Sequence, residues 1–79
     1  MYNMFMLMGV LKKFDEETKN VKLEVEEGEE KKLFQISVPF SSDALKVLRN
    51  NIGKPAVFNG CLNKSSKGIV LIAKKIIYF

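Results

Sequence analysis

The sequence predicts a small all-β domain with a single helix, and three observations predict it. Two consecutive segments alternate apolar and polar residues with the period of a half-buried strand. The apolar spacing then becomes helical over one short stretch. Beyond that stretch β-type runs resume to the end of the chain. The 79 residues leave room for one domain, taken as 1–79, with a core that is marginal on its own and favours self-association.

Each element follows from local chemistry. Met4 to Phe14 is apolar without alternation through Phe5, Met6, Leu7 and Met8, the pattern of a strand covered on both faces. Gly9 interrupts it, as at a bulge or sharp bend. Val21 to Glu26 alternates cleanly, with Val21, Leu23 and Val25 inward. Glu27 to Glu30 is a polar turn around Gly28. Leu33 to Phe40 alternates again: Phe34, Ile36, Val38 and Phe40 share one face, Gln35 and Ser37 the other. These two segments form a hairpin with one wet face. Ser41-Ser42-Asp43 offers N-caps and negative charge at a helix start. Leu45, Leu48 and Ile52 follow at helical spacing, Arg49 sits near the end, and Gly53 stops the helix before Pro55. The fourth strand runs from Ala56 to Leu62, Asn63 to Gly68 is a loop, and the fifth strand is Ile69 to Phe79. The order β-β-β-α-β-β is that of the five-stranded OB-fold Greek-key barrel, with its helix between strands three and four.

Composition narrows the function classes. The chain has no histidine and one cysteine, Cys61, so neither a disulfide framework nor a zinc site is expected, and no cofactor is implied. Without a histidine, a Gly-rich phosphate loop or a nucleophile beside a base, the chain reads as a non-enzyme. The free thiol fits a reducing, cytoplasmic setting. Met1 to Leu11 lacks the charged start of a signal peptide and falls short of the ~20 residues that span a bilayer, so it reads as a strand. The net charge of +4 is bipolar. Asp15 to Glu30 is rich in acids, whereas from Lys31 onward Asp43 is the only acid among many cations. A basic body suits a polyanionic partner.

Three stretches carry a resemblance. Met6-Leu7-Met8-Gly9-Val10-Leu11 is an aliphatic strand broken by glycine. Leu48 to Ile52, Gly53, then Ala56-Val57-Phe58-Asn59-Gly60-Cys61-Leu62 form a helix end, a glycine and a strand with an internal Gly-x-Leu. Leu71-Ile72-Ala73-Lys74-Lys75-Ile76 closes the pattern, with Phe34 to Val38 between. In order and spacing these resemble the bacterial and phage single-stranded-DNA-binding proteins and their primosomal relatives. The resemblance implies an OB-fold, sequence-tolerant binding of single-stranded DNA in replication, recombination or repair, and subunits paired through their first strands. Three departures stand beside it. The chain has no tryptophan to stack on bases, and Val10 and Cys61 replace the family's usual Arg or polar residues. It also ends at Tyr78-Phe79, without the acidic tail through which many members recruit partners.

Single-strand binding asks for cations along a groove and flat rings for bases, each stack worth roughly 1–3 kcal/mol. Lys12, Lys13, Lys22, Lys64 and Lys67 fall at strand ends and loops where an OB groove runs. Phe14 is the ring expected to be exposed, while Tyr2 and Tyr78 could stack or pack at an interface. Gln35, Ser37 and Asn59 are expected to face the groove. Glu24 and Glu26 oppose this use of the sheet, unless the hairpin tip bends away, the binding surface is small, or the hairpin meets a basic partner. Phe5, Met6 and Met8 are expected at an interface between copies, giving a homodimer or a dimer of dimers. Two other readings remain: an RNA-binding OB protein, and an accessory subunit that contacts proteins alone.

Overall fold

The computed structural model describes residues 3–79. Its order is β1 (Met4–Asp15), β2 (Asn20–Glu27), β3 (Glu30–Ser37), α1 (Ser42–Asn50), β4 (Pro55–Ser65) and β5 (Gly68–Tyr78). The strands close a barrel in the order β1-β2-β3-β5-β4, with β4 returning to β1. Every seam is antiparallel except β3–β5, which is parallel and joins Ile36 to Leu71 and Ser37 to Ile72. This is the OB-fold barrel. Among the described residues no helix is long and apolar enough to cross a membrane.

Inward positions of every strand fill one core. Leu11, Val21, Leu23, Ile36, Ala56 and Phe58 are fully buried, and Leu45 and Leu48 of α1 close one end of the barrel. The helix starts where Ser41 Oγ accepts the Ala44 amide at 3.3 Å. It ends ahead of Gly53, whose positive φ of 91° turns the chain back toward β1. There the Gly53 amide donates to the Leu11 carbonyl at 2.7 Å, which fixes the helix against the barrel wall.

β1 is covered on one face only, contrary to the reading of its apolar run. Phe5 and Leu7 pack inward, whereas Met4, Met6 and Met8 stand 66 %, 71 % and 64 % exposed. Gly9 makes a close approach and no bulge: a Cβ there would run into the Glu24 carbonyl oxygen. The bulge comes three residues later, where Leu11 pairs with Leu23 and Lys13 with Lys22, leaving Lys12 without a partner. β5 carries a matching bulge. Asn59 pairs with Lys75 and Gly60 with Ala73, so Lys74 is the extra residue.

Two boundaries also differ. β3 stops at Ser37 rather than Phe40, because Pro39 has no amide to continue a ladder. The expected loop at Asn63 to Gly68 is instead a ribbon, with β4 and β5 paired out to Ser65 and Gly68 around a turn at Ser66-Lys67. Gly68 takes a φ of 120°, and Ser65 Oγ donates to its carbonyl at 3.0 Å. The polar residues there suggested a loop, but a two-residue turn followed by a glycine at positive φ closes a hairpin.

Candidate nucleic-acid interface

The outer face shared by β1, β2 and β3 gathers most of the expected site. Lys13 lies directly across from Lys22, and Lys22 directly across from Gln35. These three, with Asp15, Thr18 and Asn20, line a shallow depression of about 240 Å³. The β1 bulge makes the row possible. It inserts Lys12 between inward Leu11 and half-buried Phe14, so Lys12 and Lys13 are both exposed in succession. At one end the β1–β2 turn is fixed by Asp15, whose Oδ1 accepts the Glu17 and Thr18 amides at 3.0 and 3.4 Å. An ion pair from Glu16 to Arg49 ties that turn to α1.

The charges divide sharply. Glu24 Oε1 holds Lys12 at 3.6 Å and Lys31 at 3.9 Å, and Glu27 holds Lys32 at 3.3 Å. The acidic hairpin is thus partly neutralised by lysines of its own face. Among the described residues, neither Lys13 nor Lys22 lies within salt-bridge distance of a carboxylate. Like charges directly opposite on adjacent strands destabilise a sheet, and a bound anion would relieve that repulsion.

The remaining expected residues separate. Lys64 lies on the β4–β5 ribbon and Lys67 at its turn, both exposed. Phe14 is not an exposed ring: it is half-buried, opposite fully buried Val21, and packs on the core. Asn59 is not on this face; it sits on β4 between Met6 of β1 and Lys75 of β5. Ser37, half-buried, pairs with Asn20 at the margin of the depression. Tyr78 packs on the core, and burial raises its phenol above the ordinary value. Tyr2 lies outside the described residues.

A second outer face, on the N-terminal half of β1 with β4 and β5, is mostly apolar around the polar pair Asn59–Lys75. Met4 pairs with Cys61, Met6 with Asn59 and Met8 with Val57, while Cys61 and Val57 meet Ile72 and Ile77. The sequence singled out Met6 and Met8 but missed the β4 and β5 rows. Val57 and Cys61, in the outward phase of an apolar run, were the available signal. Phe5, expected at the interface, packs on the core. β2 pairs with β1 only from Val10 onward, so Met4 to Met8 also present a strand edge with no described partner.

No protein-family model matches the chain, and no relative is found among curated proteins. Solved structures do match. A crystal structure of the mitochondrial single-stranded DNA binding protein Rim1 from S. cerevisiae superposes with a TM-score of 0.82 at 14 % identity, covering 100 % of this chain and 94 % of that one. A second crystal form of Rim1 gives 0.82 at 13 % identity, covering 100 % and 96 %. At that identity the likeness establishes the barrel and its topology.

Proposed function

We propose that this chain binds single-stranded nucleic acid, DNA in preference to RNA, along the outer face of β1–β2–β3, without catalysis. The observation that carries it is the unpaired Lys13–Lys22 couple with Gln35 beside it, on a barrel whose solved neighbours are named single-stranded DNA binding proteins. Lys64 and Lys67 extend the phosphate track along the β4–β5 ribbon. Lys12 contributes less, because Glu24 holds it. Among the described residues no ring is exposed on this face, so phosphate neutralisation outweighs stacking. The protein would serve replication, recombination or repair as a homodimer, pairing through Met4, Met6 and Met8 and the open edge beside them.

Anisotropy of a labelled oligo-dT tests this. With about four phosphates neutralised, affinity falls about 50-fold between 50 and 200 mM salt. The accessory-subunit reading is favoured by the missing exposed ring, and absence of binding at low salt would establish it over ours. A matched oligo-rU competitor decides between DNA and RNA.

A further inference from the structure

A groove of about 370 Å³ runs between α1 and β5. Its helix side is Ala44 and Val47, the latter 47 % exposed, and its strand side is Ile76 and Tyr78. Phe40, just ahead of the helix, completes an apolar floor. Lys74 and Lys75 stand at its rim, placed in succession by the β5 bulge, and no carboxylate lines it. Neither lysine has a salt-bridge partner among the described residues.

We propose that this groove docks an acidic segment of a partner protein, one aliphatic or aromatic side chain on the apolar floor and flanking carboxylates on Lys74 and Lys75. Charge complementarity selects this occupant, since a cationic rim over an apolar floor matches a segment that alternates acids with apolar residues. Phe40 and Tyr78 line the groove while also packing on the core, and the rest of the floor is aliphatic, so it seats an apolar side chain, and displacement by oligo-dT distinguishes a peptide from a nucleobase. The hairpin of a second copy is a poorer match, because Glu24, Glu26 and Glu27 are already held by lysines of their own chain and the tip acids Glu29 and Glu30 have no apolar residue beside them to fill the floor. The site is separate from the Lys13–Lys22 row.

The test uses a short fluorescein-labelled peptide alternating Asp with Leu and Phe, followed by anisotropy at low salt. Saturable binding is expected, weakened about tenfold by Val47→Asp and by the double variant Lys74→Glu, Lys75→Glu. A control peptide with Ser in place of Leu and Phe should bind about tenfold more weakly than the parent. Oligo-dT affinity of Val47→Asp should be unchanged. Three results would overturn the proposal. Equal binding of the Ser peptide would leave only diffuse charge attraction. Loss of oligo-dT binding in the lysine variant, with displacement of the peptide by oligo-dT, would make the groove part of the nucleic-acid path. A smaller sedimenting species for Val47→Asp would assign the groove to a second copy.

Discussion

The two halves of β1 meet solvent with opposite chemistry. Its N-terminal half shows Met4, Met6 and Met8 beside an apolar band from β4 and β5, whereas its C-terminal half shows Lys12 and Lys13 beside β2 and β3. The strand changes partner between them, from β4 to β2, and the Lys12 bulge then resets its phase. Strict alternation continued from Met8 would send Lys13 inward and Phe14 outward. The extra residue reverses both, which moves a charge onto the surface and a ring onto the core. One bulge therefore supplies a lysine row and removes a stacking platform at once.

Phe14→Asp breaks the contrast most severely. Placing a carboxylate where the bulge turns a ring onto the core should cost about 4 kcal/mol, read as a drop in the midpoint of urea unfolding. Met6→Glu acts only on the apolar half. It should weaken a dimer by about 3 kcal/mol, roughly a hundredfold in its dissociation constant by sedimentation, while leaving the monomer folded. The double reversal Lys13→Glu, Lys22→Glu acts only on the cationic half, and about a 30-fold loss of oligo-dT affinity is expected with sedimentation unchanged. The smallest effect sharpens the contrast. Glu24→Gln frees Lys12, while Lys31 keeps Glu26, and oligo-dT should bind about threefold more tightly at low salt. No change there would mean that Lys12 lies off the phosphate path.

Much of the barrel was legible because its cues are local. Val21-Leu23-Val25 alternate, Ser41 caps, Gly53 stops the helix, and each is where the sequence puts it. The site was legible only in part. Lys13, Lys22 and Gln35 do share a face, but Phe14 was misplaced because nothing in Lys-Lys-Phe marks which residue is the extra one. Asn59 was misplaced for a different reason. Alternation told that it points outward, and only strand order tells which side of a closed barrel that is. Paired glutamates in the hairpin were equally out of reach, since cross-strand register sets which lysine meets which acid.

The β3–β5 seam has a consequence for how the chain reaches this state. The β1–β4 ladder closes a longer loop but gains seven register pairs, whereas this junction rests on two, Ile36–Leu71 and Ser37–Ile72. The loop entropy of that closure is repaid late, so the β2–β3 and β4–β5 hairpins would form first and the seam last. In the finished protein the same junction should be the first to open. Amides of β3 and β5 at Ser37 and Ile72 should exchange with solvent deuterium sooner than those of β4 around Phe58, which is paired on both sides.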